Sequence, residues 1–318
     1  MLTTLNPSSE LFLADVERTQ RRVENASRQI SSGKRITEAS DAPDQVAPLL
    51  QLRAQQRLNT QIQANLALAK TDADTAEAAL NSAGKLMDEA LSVATGAANF
   101  TESAAGRQTL TVQIESLQQQ MIAFSRTAVA GRYVFGADQD TTPPYDVDFT
   151  QEGGVVKLSD AQATRMVADP AGGSFSTSMS AHQIFDTRTT VTTTDPDGNP
   201  VTEDVPAADN VFSALDNLRL GLLNNDVAAI QASTVSIKSA SNRLNAAQAF
   251  YGNVQNRIDS AISFAQNYGN RLQSEIGQKE DADVTAAAIE LSQGNLQIQA
   301  SLQMQANLPR STLFDFLG

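Results

Sequence analysis

IQASTVSIKSASNRLNAAQAFYGNVQNRIDSAISFAQNYGNRL, residues 230–272, carries one unbroken rule. Apolar or small residues fall at Ile237, Ala240, Leu244, Ala247, Tyr251, Val254, Ile258, Ala261, Ala265, Tyr268 and Leu272, with spacings that alternate three and four. Such a heptad seam holds one face of a helix against partner helices. No proline occurs between Asn210 and Leu308, so nothing forces a break. A helix of roughly 50 residues is about 75 Å long, too long for the interior of a compact globule. The stretch reads as the spine of an elongated bundle, with Asp226 as its cap and an end near Gly277.

Other segments repeat the rule. A helix from about Gln45 to Ala94 carries the seam Ile62, Leu66, Ala69, Ala73, Ala76, Leu80, Ala83, Met87, Ala90, Ala94. A third follows with Leu110, Ile114, Leu117, Met121, Phe124 and Ala128. The short loop between the two predicts an antiparallel hairpin. Near the start, Phe12, Val16, Thr19, Val23, Ala26 and Ile30 form another seam. It ends in Ser31-Ser32-Gly33-Lys34-Arg35, where Gly33 supplies a left-handed stop and the two bases favour the negative helix end. Ser40, Asp41 and Asp44 are candidate caps for the next helix. Pro48 either sits in its first turn or kinks it.

At Gly131 the periodicity changes. Tyr133-Val134-Phe135 reads as a strand. Residues 136–209 hold six of the ten prolines and, with 13 acids against 3 bases, a net charge of −10 out of −13. Alternating Thr and Val from Val191 to Val201 flank Asp195-Pro196-Asp197-Gly198-Asn199-Pro200, a hairpin signature. The segment reads as a small β-rich insert outside the bundle, replaceable by a short linker. Helix resumes at Val211, Leu215, Leu218 and Leu222.

The last 35 residues contain one Glu, one Arg and one Asp, while Gln recurs at 293, 297, 299, 303 and 305. Leu291, Leu296, Ile298, Leu302 and Met304 occupy more than one helix face. Such a helix is too apolar to leave a side in water. It is buried either within the chain or between subunits, where uncharged Gln pairs without desolvating a charge. Leu313-Phe314-Asp315-Phe316-Leu317 forms an apolar end-piece.

Signals for chemistry are weak. The chain has no Cys and one histidine, His182, with no second ligand type at metal spacing. Asp195, Asp197 and Asn199 have the alternation of a calcium loop. The places that need Gly and Glu hold Pro200 and Pro206. Gly153-Gly154 and Gly172-Gly173 lack the continuation of a phosphate loop. No catalytic, cofactor or metal residue is assigned, and no enzyme is expected. No basic patch interleaves with aromatics, so nucleic acid is not an expected partner. No run of 18 apolar residues exists for membrane insertion. Charges from Glu10 to Arg28 speak against a cleaved secretory signal.

Both ends together resemble the flagellin superfamily. Arg28-Gln29-Ile30-Ser31-Ser32-Gly33-Lys34-Arg35-Ile36 is similar to its N-terminal motif, and Ser40-Asp41-Ala42-Pro43-Asp44-Gln45-Val46-Ala47 to the acidic–proline step that follows. Ala42 stands where the family usually has a second acid. Gly131-Arg132-Tyr133-Val134-Phe135-Gly136-Ala137, the ending Ser311-Thr312-Leu313-Phe314-Asp315-Phe316-Leu317 and the tail helix around Leu302 resemble the hook-associated branch rather than the filament branch. The resemblance implies paired N- and C-terminal helices packed about a tube axis. It implies a mainly α fold: an elongated antiparallel helical bundle or coiled coil with a small β-rich insert facing outward. Three parts follow: terminal assembly helices at 1–44 and 280–318, the bundle at 45–130 and 210–279, and the insert at 131–209. Assembly contacts are expected at Ile30, Ser31, Gly33, Arg35, Ile36, Leu291, Ile298, Leu302, Phe314, Phe316 and Leu317. The implied role is structural and extracellular: an adaptor of the bacterial flagellum, exported by the type III route without cleavage. Its partners would be a hook-associated protein on the hook side, flagellin on the filament side, copies of itself in a ring, and an export chaperone. The alternative is flagellin, the filament subunit itself.

Overall fold

The computed structural model describes residues 7–99, 102–161, 163–194 and 200–306. Seven α-helices of four residues or more occur among them: α1 (Pro7–Ser32), α2 (Pro43–Ala97), α3 (Ala104–Ser125), α4 (Ala181–Phe185), α5 (Val211–Leu223), α6 (Val227–Glu280) and α7 (Val284–Ala306). The fold is mainly α, as the heptad seams predict. The spine is one helix, α6, and each seam residue from Ile237 to Leu272 is buried except half-buried Tyr268. The α2 seam is buried from Leu66 to Ala94. Alanine fills much of both seams, because small side chains let helix axes approach closely without aromatic bulk. Asp226 caps α6 as read, its carboxylate accepting from Ala228 N (3.0 Å) and Ala229 N (3.1 Å). Pro43 takes the first helical position of α2, where its missing N–H costs nothing. Pro48 lies inside the same helix, one turn further on.

The described residues fall into two compact units, 7–59 with 267–306, and 60–266; α2 and α6 run through both. In the second unit α2 and α6 are antiparallel. Gln63 donates to the Ala265 carbonyl, Lys70 pairs with Asp259, and Gln255 donates to Glu77. The α2–α3 hairpin is fastened by Gln113 donating to Glu89 (3.1 Å) and by buried Arg107. The Arg107 guanidinium donates to the carbonyls of Ala97 (3.0 Å) and Asn99 (2.9 Å) and to Asn225 Oδ1 (2.6 Å). It ties the α2–α3 loop to the α5–α6 turn. Helix α3 stops at Ser125, so Ala128, read as part of its seam, lies exposed in a strand instead.

Between α3 and α5 lie eight strands in four separate antiparallel pairs. These are β1 (Ala128–Val129) with β2 (Arg132–Tyr133), β3 (Tyr145–Val147) with β4 (Val155–Lys157), β5 (Met166–Ala168) with β6 (Ser174–Ser176), and β7 (Arg188–Thr194) with β8 (Pro200–Pro206). The expected strand Tyr133–Phe135 is shorter than read. After the tight turn Ala130–Gly131, both at positive φ, only Arg132 and Tyr133 pair. Val134 N still donates to the Thr127 carbonyl at 2.8 Å, and the Val134 and Phe135 side chains enter the core. The Val191–Val201 hairpin is present, in register from Arg188↔Pro206 to Thr194↔Pro200; residues 195–199 lie outside the described residues.

One expectation is overturned here. The segment read as replaceable contributes two of the five rings, Tyr145 and Phe185, at the aromatic centre of the second unit. Tyr145 meets Phe212 edge-on at 5.0 Å, Phe212 stacks on Phe185 at 5.8 Å, and Phe185 meets Phe135 at 5.5 Å. Phe135 in turn meets Tyr251 of α6 at 6.2 Å. These rings belong to one core with the seams of α2, α3, α5 and α6. Lack of heptad spacing kept the segment out of the helical pattern, but not out of the helical core. Burial of the Tyr251 hydroxyl, which accepts from Met179 N at 3.1 Å, pushes its pKa up to about 12.

Candidate assembly interface

In the first unit α1 and α7 run antiparallel. Arg22 pairs with Glu290 at 2.8 Å, and Gly294 lies against Val23 and Thr19. The approach at Gly294 is close: a Cβ there would meet Val23 Cγ2 at 2.4 Å. Burial is otherwise thin. In α7 only Ala287 and Gly294 are buried, and Ala26 is the matching buried residue of α1. Ile30, Leu291 and Ile298, all predicted contacts, are half-buried.

Much apolar surface stays open. Leu11 is 70% exposed, Leu296 63%, Leu302 54% and Met304 74%, with Leu13, Val284 and Ile289 also exposed. The question of whether the tail helix is buried within the chain therefore has a divided answer. One narrow face is covered by α1, and the rest of its apolar surface meets water. Large apolar side chains left in water on both helices of the pair make it the candidate binding face. Phe314, Phe316 and Leu317 lie outside the described residues.

Where α1 turns into α2, the backbone is strapped to the end of α6. Gly33 adopts φ +68° and its N–H donates to the Gln29 carbonyl at 2.9 Å, the left-handed stop that the sequence predicts. Its carbonyl accepts from Ala282 N at 3.0 Å, and Arg35 N donates to the Glu280 carbonyl at 2.7 Å. Lys34 and Arg35 do not serve the end of their own helix. The Arg35 guanidinium donates to the Lys279 carbonyl at 2.7 Å, and the Lys34 ammonium pairs with Glu280. Both cations are thus spent on the negative end of α6. Ser31 is exposed and donates to the Arg28 carbonyl (3.0 Å), whereas Ile36 is buried beneath the strap.

Asp41, a candidate cap of α2, closes the preceding turn instead. One carboxylate oxygen accepts from Thr37 N (2.9 Å), Glu38 N (2.9 Å) and Thr37 Oγ1 (3.0 Å). These bonds hold its pKa below the usual carboxylate range. Helix α2 starts two residues later, so Asp41 cannot reach its free N–H groups.

The residue that sequence reading passed over is Glu280. It is 3% exposed, with Arg53 of α2 at 2.6 Å from one oxygen and Lys34 at the other. Burial pushes its pKa up, but the bonds and charges of Lys34 and Arg53 outweigh that and leave the carboxyl below its ordinary range. A signal was present. Glu280-Asp281 puts two acids at the negative end of a long helix, unfavourable unless cations arrive from elsewhere.

Among the described residues, no group of three or more His, Asp or Glu is placed to hold a metal ion. His182, on α4, is partly exposed with Nδ1 3.8 Å from Asp186 Oδ2. Asp186 is engaged by Tyr145 (3.2 Å) and Asn210 (2.8 Å). No helix among the described residues is long and apolar enough to cross a membrane.

Comparison with known proteins finds two family matches. The bacterial flagellin N-terminal helical region matches residues 4–140, and the bacterial flagellin C-terminal helical region matches residues 234–317. Flagellar hook-associated protein 3 of Escherichia coli (strain K12) is 26% identical over 218 residues, 68% of this chain and 65% of that relative, so the match spans slightly less than two thirds of the relative's length. Among solved structures, a protein from Vibrio parahaemolyticus assigned to the flagellar hook-associated proteins superposes with a TM-score of 0.61 at 19% identity, covering 76% of this chain and all of that one. Flagellar hook associated protein-3 of Legionella pneumophila gives 0.59 at 14% identity over 71% of this chain and 97% of that one. At these identities the structural likeness speaks for the fold.

Proposed function

Since the chain belongs to the bacterial flagellin family, we propose that it is a structural adaptor at the junction between flagellar hook and filament. The observation that carries this is the unfinished terminal pair. Helices α1 and α7 cover each other along one narrow face and leave Leu11, Leu296, Leu302 and Met304 in water. A surface of that kind is completed by neighbouring subunits. Ile30, Ser31, Gly33, Arg35, Leu291, Ile298 and Leu302 form the candidate contact region, with Phe314, Phe316 and Leu317 following in sequence; Ile36, expected among them, is buried in the free chain and supports the turn instead. The partners that fit are a hook-associated protein below, flagellin above and further copies alongside in a ring. An export chaperone would shield the apolar tail before assembly. The role is architectural rather than catalytic, and its place is the extracellular flagellum.

The second reading is the filament subunit, favoured by the two flagellin family matches taken alone. The relative named for the hook-associated class tips the choice to the junction. The readings differ in what the pure protein does. A filament subunit repeats against itself in an open, heterologous contact, while a junction protein need form only one layer. A strain lacking this chain should secrete flagellin into the medium and carry bare hooks. Under salting-out conditions that polymerise flagellin, the purified chain should remain monomeric or form small oligomers. Long filaments grown from it alone would refute the junction reading.

A further inference from the structure

We propose that Glu280 is the positioning residue of the terminal helix pair: its buried carboxylate, gripped by Lys34 and Arg53, latches the α1–α2 turn onto the end of α6, and loss of that charge releases α1 and α7 while the rest of the chain stays folded. Among the described residues of the first unit, Glu280 is the one buried charged side chain. Its two partners come from two different places, Lys34 from the turn after α1 and Arg53 from α2. Both partners are themselves half in water, so the carboxylate is the member that cannot be left unpaired.

Little else ties these segments together. Buried apolar side chains in the first unit are few: Ala26, Ile36, Leu49, Leu272, Ile276 and Ala287. The backbone bonds around the latch, from Arg35 N to the Glu280 carbonyl and from Ala282 N to the Gly33 carbonyl, hold only while the turn sits in place. Further charges surround the node. Arg35 is spent on the Lys279 carbonyl, and the Lys279 ammonium donates to Gln45 Oε1 at 3.2 Å. Asp44 and Glu275 line the adjoining open groove, and Asp281 follows in the α6–α7 turn. None of these reaches the Glu280 carboxylate as Lys34 and Arg53 do.

The sign of the pH dependence follows from the depressed carboxyl. The latch is fully present above the ordinary carboxylate value of 4.5 and is lost as pH falls through the lower folded value. The use of the latch in assembly rests on the junction reading; the latch itself does not. Because the chain has no cysteine, the full-length protein accepts a spin-label pair at Ser31→Cys and Gln278→Cys, both exposed. The wild-type background should give one narrow distance at neutral pH that broadens in acid while far-ultraviolet ellipticity is largely retained. Glu280→Gln should give a broad distribution at every pH. Lys34→Met should move the acid midpoint upward, because the buried carboxylate loses a cation. A narrow, wild-type distance and an unchanged acid transition in Glu280→Gln would overturn the proposal, as would an unmoved midpoint in Lys34→Met. The measurement uses the free chain, so it fails or succeeds independently of whether a null strain carries bare hooks.

Discussion

Replacing Phe185 with Ala tests whether the β-rich segment and the helices share one core. Phe185 is fully buried, stacked on Phe212 at 5.8 Å and edge-on to Phe135 at 5.5 Å. Removing a buried Phe side chain costs about 3–5 kcal/mol, the lost transfer energy plus the cavity left behind. The two ring contacts lie inside that figure and are not added to it. Close packing around the site, with Ile184, Leu215 and Tyr145 also almost fully buried, leaves little room to collapse and favours the upper half of the range.

Domains are commonly stable by about 5–15 kcal/mol, so the loss is a large fraction of the total. The assay is urea unfolding followed by far-ultraviolet ellipticity, which reports α2, α3 and α6 rather than the short strands. The midpoint should fall with an unchanged slope, because the same surface is exposed on unfolding. If the segment were an independent appendage, the helical transition would move by less than about 0.5 kcal/mol, the usual scale of a substitution outside the packed core. A shift that small, with protease cutting confined to 136–209, would refute the shared core.

Two further substitutions probe the terminal pair. Gly294→Val sets a branched side chain where even a Cβ would lie 2.4 Å from Val23 Cγ2. Overpacking costs about 1–3 kcal/mol, so α1 and α7 should separate, read as faster amide exchange in both helices with the second unit unchanged. Leu302→Asp alters a side chain 54% exposed in the free chain, so its melt should move by no more than about 0.5 kcal/mol. Burying that charge in a subunit contact costs several kcal/mol, so filament attachment in cells should be lost. Retained attachment would remove Leu302 from the interface.

The helices were legible because the seams of α2 and α6 are long and unbroken. Ten or more positions in step leave no competing period, and the alanines among them point to close helix packing. The stop at Gly33 and the cap at Asp226 were legible because each is a local backbone requirement met by a local residue. The core role of Phe135, Tyr145 and Phe185 was not. Each is one aromatic in a loop-rich stretch, and its partners Phe212 and Tyr251 lie far away in sequence. Within the candidate interface, the exposed apolar faces of α7 followed from its lack of charge. Glu280 escaped notice because an acid on a helix normally reads as a solvated face. Only the approach of Lys34 and Arg53 from far along the chain turns it into a buried node.

The two units differ in how far they satisfy themselves, and the difference bears on assembly. The second unit closes its own core: its rings, its seams and buried Arg107 all find partners within 60–266. The first unit does not. Its helix pair covers one narrow strip, and a buried carboxylate with two half-exposed cations holds the turn that carries α1. A subunit built to join others gains from this division. A self-sufficient body fixes the geometry in advance, while the apolar surface needed for binding stays available at the chain ends. Filling those ends with a larger private core would stabilise the free chain and remove the surface proposed to meet neighbours. A charge latch avoids that conflict, because it fixes orientation through a few directed bonds and consumes almost no apolar area.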